Sequence, residues 1–192
     1  YNIKYFFTHN TEDGNMNLKY HPIPPFSQCG QDYDYYNQLK YEDIQKNKLC
    51  SMIVSRLITQ HPQEATISYS KRVEFVKYIS KNIDKDDVLK QIDHYGHSWK
   101  KDELGELYKG TLGSYNKGTA KFVENVKEHT TKLDGLLPYN YSIGLENRIT
   151  LPHYMDTKFT DCLLTWTMPI YWGNRAELYF PEDSFYKLDI EY

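Results

Sequence analysis

Arg72 and Lys158 are cations that the local sequence places at helix starts, where a helix normally prefers an anion. In Met155-Asp156-Thr157-Lys158-Phe159, Asp156 has the residue type of an N-cap, and Phe159, Cys162, Leu163 and Trp166 recur at i, i+3, i+4 and i+7. The spacing predicts a helix over 157–166 with Lys158 in its first turn. A helix N-terminus carries partial positive charge, so a lysine there costs about 0.3–1 kcal/mol unless an anion shares the site. Such ends are also natural phosphate sites. Ser70-Lys71-Arg72 repeats the pattern: Ser70 is the expected N-cap of a helix with Val73, Phe75, Val76 and Ile79 on one face. A guanidinium can form paired hydrogen bonds to phosphate oxygens, and an ammonium supplies a point charge. Together the two misfits point to a phosphorylated ligand.

Other residue clusters carry weaker chemistry. Glu146-Asn147 closes an alternating segment, where the pair suits a turn and a ligand contact about equally. Asp32-Tyr33-Asp34 imitates the Asp-x-Asp that holds a divalent metal and a nucleotide, but no apolar strand precedes it and a solvated loop is the better account. His94 and His97 have no third ligand at recognisable spacing, so no metal site is assigned. Tyr171 and Trp172 are assigned to the core. There is no phosphate-binding Walker loop, no Gly-x-Gly-x-x-Gly and no nucleophile elbow.

These residues need a scaffold, and the order of elements supplies one. Leu49–Ser55 is an apolar run of strand type, a polar loop follows over Thr59–Thr66, and the Arg72 helix comes next. A strand is expected at Ile92–Tyr95, then a glycine-rich stretch through Gly105, Gly110, Gly113 and Gly118, then a helix from about Thr119 with Phe122, Val123 and Val126 inward. Tyr141, Ile143 and Leu145 alternate with Ser142 and Gly144 in a strand over Tyr139–Leu145, and Met168–Gly173 forms another after the Lys158 helix. Strands alternating with helices predict an α/β fold, a Rossmann-like parallel sheet with helices on both faces. Ligands of such sheets bind beyond the carboxyl ends of the strands, where Arg72 and Lys158 are expected.

Composition bounds the partners. The chain has 192 residues and a net charge of -3 with no basic block, which gives no footprint for nucleic acid or an anionic membrane. Nineteen tyrosines, eight phenylalanines and three tryptophans suit sugar faces as well as cores. Cys29, Cys50 and Cys162 are odd in number and far apart, which supports neither a disulfide framework nor a zinc ribbon. No apolar run reaches the length of about 18 residues that a membrane span needs. The chain opens on Tyr1 within an apolar stretch and is expected to be a piece of a longer protein. Residues 1–45 then read as the end of a preceding domain and a linker, and residues 46–192 as a ligand-binding domain.

Tyr139–Asn147, Tyr154–Asp161, Met168-Pro169-Ile170-Tyr171-Trp172-Gly173 and Tyr179–Phe185 together resemble the donor half of family 10 glycosyltransferases, the alpha-1,3/1,4-fucosyltransferases. That family shows an aromatic-rich strand ending in Glu-Asn, a Tyr-x-x-Glu-Lys helix start, an Ile-Pro-x-Tyr-Trp-Gly strand and a trailing Pro-x-x-Ser/Cys-Phe, in this order. Looser likeness runs through Ser70–Phe75 and Ile92–Gly96, so the resemblance covers roughly residues 48–185.

The resemblance implies a two-domain B-type glycosyltransferase fold and an inverting transfer of fucose from GDP-fucose to a glycan hydroxyl. It implies Arg72 and Lys158 on the donor diphosphate, Tyr154 on the nucleotide sugar, and Glu146, Asn147 and Thr157 at the donor site. Thr157 stands where the family has a glutamate, a change that bears on donor choice. The catalytic base belongs to the family's N-terminal domain and has no counterpart among the residues assigned here. No metal or other cofactor is expected, because the two cations take its charge-balancing role. The expected location is cytoplasmic or membrane-peripheral, or the Golgi lumen if a membrane anchor has been removed. Two alternatives stand beside this reading: a metal-dependent glycosyltransferase using Asp32 and Asp34, and a non-catalytic carbohydrate-binding fragment.

Overall fold

A computed structural model of the chain describes residues 5–7, 19–21, 33–56, 63–112, 131–149, 154–174 and 176–190. Its centre is a six-stranded sheet of β1 (Lys48–Ile53), β2 (Ile92–Tyr95), β3 (Tyr108–Gly110), β4 (Tyr139–Leu145), β5 (Met168–Trp172) and β6 (Tyr186–Lys187). Every pairing is parallel and the spatial order is β3-β2-β1-β4-β5-β6. The chain therefore builds outward from β1 to one edge, returns, and builds from β4 to the other, which is the Rossmann-like order with its switch point between β1 and β4. Tyr5–Phe7 and Lys19–His21 form a separate two-stranded parallel pair.

Parallel strands covered on both faces read as nearly continuous apolar runs, and β1 does so because Cys50, Ser51 and Met52 are all buried. Successive side chains alternate between faces. Cys50, Met52 and Ile143 pack with Val76 and Ile79 of α2 (Gln63–Asn82). On the opposite face, Gly144 lies against α4 (Thr157–Leu164), whose Phe159 is fully buried among Tyr171, Phe180 and Phe185 at ring separations of 4.9, 4.7 and 5.3 Å. Burying a ring of this size stabilises by roughly 1.5–3 kcal/mol. Helices thus cover both faces, as the alternation of elements predicts. Two shorter helices, α1 (Tyr33–Gln38) and α3 (Lys101–Leu104), sit at the margins.

Several expectations change at this level. The helix carrying Arg72 does not start at Ser70 but at Gln63, immediately after Pro62 in the sequence, and absorbs the residues Gln63–Thr66 that read as loop. Glu64 and Ala65 are good helix formers, and the run is too polar to show a periodic face. Lys71 and Arg72 therefore lie in mid-helix, away from the partial positive charge of the helix N-terminus. The Lys158 helix ends at Leu164 rather than Trp166, because Trp166 takes a left-handed φ of 55° and is exposed. The strand Tyr108–Gly110 falls inside what read as a flexible glycine-rich stretch. The expected helix from Thr119, Gly113, Gly118 and Cys29 lie outside the described residues.

Trp166 fastens the preceding segment to the sheet domain: its indole N–H donates to the Leu39 carbonyl at 3.0 Å and its ring lies 6.0 Å from Tyr41. Nearby, the Lys46 ammonium donates to the Thr165 carbonyl at 3.0 Å and to Thr167 Oγ1 at 2.8 Å, satisfying the C-terminal end of α4. Cys50 and Cys162 are both buried. No helix among the described residues is long and apolar enough to cross a membrane.

Candidate functional site

A cavity of about 280 Å³ opens at the switch point, beyond the carboxyl ends of β1, β2 and β4. Ile53 and Ser55 reach it from the end of β1, Gly96 and His97 from the end of β2, and Ser142, Ile143, Gly144 and Asn147 from β4. Arg72 enters from α2, Lys132 from the turn before β4, and Asp156, Thr157 and Lys158 from the start of α4. The close convergence of β1 and β2 here requires glycine at one point. A Cβ on Gly96 would stand 2.0 Å from the Val54 carbonyl oxygen.

The start of α4 is built as its sequence predicts. Asp156 is the N-cap, its Oδ1 accepting from the Thr157 backbone N–H at 2.6 Å and from Thr157 Oγ1 at 3.2 Å. Its Oδ2 accepts from Lys158 Nζ at 2.5 Å and from the Asn147 amide at 3.3 Å. Lys158 also lies 3.7 Å from Glu146 Oε2. The first-turn misfit at Lys158 is thus answered within the chain by two carboxylates, so the misfit alone does not require a ligand. Burial works to raise the pKa of Asp156, but the Lys158 ammonium and the Thr157 N–H outweigh it and hold the carboxyl below its ordinary value.

Glu146 is fully buried at the end of β4. Its Oε1 accepts from the Asp156 backbone N–H at 2.9 Å and from the Tyr171 hydroxyl at 2.8 Å, while Oε2 has no hydrogen-bond partner among the described residues. Tyr171 is itself buried, and burial next to Glu146 drives its pKa upward. The residue assigned to the core from sequence does pack there, and it also positions a site carboxylate. No sequence signal marks this, since the bond joins positions on adjacent strands.

Arg72 is only 3% exposed although it lies in mid-helix, and its hydrogen-bond partner Asn147 is 75 positions away. Its Nη1 donates to Asn147 Oδ1, its guanidinium carbon lies 5.3 Å from the Tyr69 ring centre, and its Nε has no partner among the described residues. Burial lowers its pKa, opposed by the neighbouring Tyr69, Glu146, Asp156 and Tyr154. A buried donor without a partner costs about 1–3 kcal/mol, which a ligand oxygen would recover.

Five of the six residues assigned to the donor site thus meet directly: Arg72, Asn147, Thr157 and Lys158 line the cavity, and Glu146 braces it from behind. Tyr154 is half-buried behind Asn147, to which it is hydrogen-bonded, and does not line the cavity. Burial first, then Asp156 and Glu146, push its phenol up to about 12. One further cavity residue has no signal in the sequence. Lys132 lines the cavity, pairs with the buried Asp161 of α4 and approaches Thr157 Oγ1 at 3.4 Å. Its partner is 29 positions away, so spacing could not reveal it. The N-cap role of Asp156 occupies only Oδ1, while Oδ2 faces the cavity residues Lys158 and Asn147.

Of the pair offered as a metal motif, Asp34 is exposed on α1, and Asp32 lies outside the described residues. No protein-family model matches the chain, and neither a curated protein nor a solved structure matches it.

Proposed function

We propose that this cavity holds the diphosphate of a nucleotide sugar, and that the chain is the donor-binding part of an inverting glycosyltransferase that moves fucose from GDP-fucose to a glycan hydroxyl. The observation that carries the phosphate reading is Arg72: a buried guanidinium on the cavity wall at the sheet's switch point, with an unpartnered Nε among the described residues. Lys158 and the N-terminus of α4 share that cavity. The choice of guanosine and fucose rests on the motifs around Glu146-Asn147, Lys158 and Pro169–Gly173.

In this reading the acceptor oxygen attacks the anomeric carbon, the bond from that carbon to the diphosphate breaks, and its electron pair leaves on the diphosphate oxygen. Positive charge on the sugar and negative charge on the leaving group grow together in the transition state. Arg72 and Lys158 stabilise the second of these in a partly dehydrated site, where such contacts are strongest. The acceptor proton passes to a carboxylate of the family's acceptor-binding domain, the single base an inverting displacement needs.

Titration calorimetry with GDP-fucose tests the reading on the native chain and on the Arg72→Ala and Lys158→Ala variants. Each substitution removes a charge-assisted contact of about 1.5–3 kcal/mol, a loss of roughly 10- to 150-fold in affinity. GDP-mannose and UDP-sugars in the same assay test the donor. Unchanged affinity in both variants, or no affinity for any nucleotide sugar, removes the proposal.

A further inference from the structure

We propose that Asp156 is a specificity-determining residue that makes the cavity favour a diphosphate esterified to a sugar over a free nucleoside diphosphate. The proposal rests on the nucleotide-sugar reading above and concerns the same site. Its starting point is that the two carboxylate oxygens of Asp156 do different things. Oδ1 caps α4 through the Thr157 N–H. Oδ2 faces Lys158 and Asn147, both cavity residues, and the side chain remains 20% exposed. Capping needs one oxygen, and serine, threonine or asparagine supplies it as well as aspartate does. The charge on the second oxygen is therefore not required by the helix.

That charge alters what the cavity accepts. Lys158 faces Asp156 and Glu146, Lys132 faces Asp161, and Arg72 lies in the field of Glu146 and Asp156. These cations are balanced by carboxylates before any ligand arrives. The terminal phosphate of a free nucleoside diphosphate carries about −1.5 to −2 at neutral pH, whereas esterification to a sugar leaves about −1. In a partly buried site the extra charge is repelled by Asp156.

A sugar, in contrast, brings hydroxyl donors that Asp156 Oδ2 can accept. Arg72 Nε, buried and without a hydrogen-bond partner among the described residues, is a donor suited to a phosphate oxygen that either ligand brings, so the discrimination falls to Asp156 Oδ2.

The test compares dissociation constants for GDP-fucose and GDP in the native chain, Asp156→Asn and Asp156→Ser. Both substitutions keep a capping oxygen, so a folding defect in one leaves the other to decide. The native chain is expected to bind GDP-fucose more tightly than GDP. Both variants are expected to bind GDP about tenfold more tightly, with no gain for GDP-fucose, so that the preference collapses. GDP-fucose binding with an unchanged preference in the variants overturns the role of Asp156 and leaves the nucleotide-sugar reading standing. No binding of either nucleotide by any of the three proteins overturns both.

Discussion

The hydroxyl of Tyr171 on β5 donates to Oε1 of Glu146 at the end of β4, at 2.8 Å and out of contact with solvent. The same oxygen accepts the Asp156 backbone N–H, so one bond between neighbouring strands sets the carboxylate against which α4 begins. Fold and site are joined at this point.

Tyr171→Phe keeps the ring and its packing against Phe159 but leaves the buried Glu146 with one partner fewer. Loss of a hydrogen bond to a buried charged group costs about 1.5–3 kcal/mol. Urea denaturation should show that loss as a lower midpoint with an unchanged slope. Affinity for GDP-fucose should fall as well, since Glu146 positions Lys158.

Arg72→Lys keeps a positive charge at the wall of the cavity but cannot make paired bonds to a planar or tetrahedral anion. Its affinity for GDP-fucose is expected to lie close to that of Arg72→Ala, at least tenfold below the native chain. A calorimetric series over the three proteins reads this directly. Native-like affinity in the lysine variant would mean that Arg72 acts only as a charge.

His94 is fully buried on β2, its Nε2–H donating to the Val54 carbonyl at 2.9 Å, with Nδ1 unpartnered among the described residues. Burial lowers its pKa from 6.5 to about 4, against the opposing effect of the Val54 bond. The unfolded chain takes up a proton near pH 6.5 and the folded chain does not until about pH 4, so stability falls as pH drops through that window and levels off below it. The loss is of the order of 3 kcal/mol. His94→Gln, which can still donate to Val54, should flatten the dependence. Asp156 is separable, because its depressed pKa makes its contribution fade only as pH falls below its unfolded value of 3.8.

Gly96→Ala should be among the most damaging small substitutions. The added methyl would stand 2.0 Å from the Val54 carbonyl oxygen, which is backbone and cannot swing aside. Forced overpacking of this kind costs about 1–3 kcal/mol or more. A thermal melt should show it, and because Gly96 lines the cavity, any folded fraction should also bind nucleotide less well.

The four inner strands were legible because period-two alternation and apolar runs are local signals: Ile92–Tyr95 and Tyr139–Leu145 fall where the pattern puts them, whereas the edge strands Tyr108–Gly110 and Tyr186–Lys187 are too short to show a pattern. Asp156 as N-cap was equally local. The start of α2 was not, since Gln63–Thr66 has helix-forming residues but no apolar stripe, and Ser70 offered a false beginning. The site was legible by residue type and not through the electrostatics of helix starts. Arg72 reaches the cavity from mid-helix by burial, and Lys158 is balanced by carboxylates that only the folded sheet brings near. Lys132 and Tyr171 act through contacts 29 and 25 positions away, and no spacing rule reaches that far.

The eight residues of α4 form a stiff rod about 12 Å long. One end carries Lys158 into the cavity, and just past the other, Trp166 and Thr165 grip Leu39 and Lys46. The same short helix therefore touches both the cavity wall and residues 39–46 ahead of the sheet, so a substitution at either end is read by one rigid element.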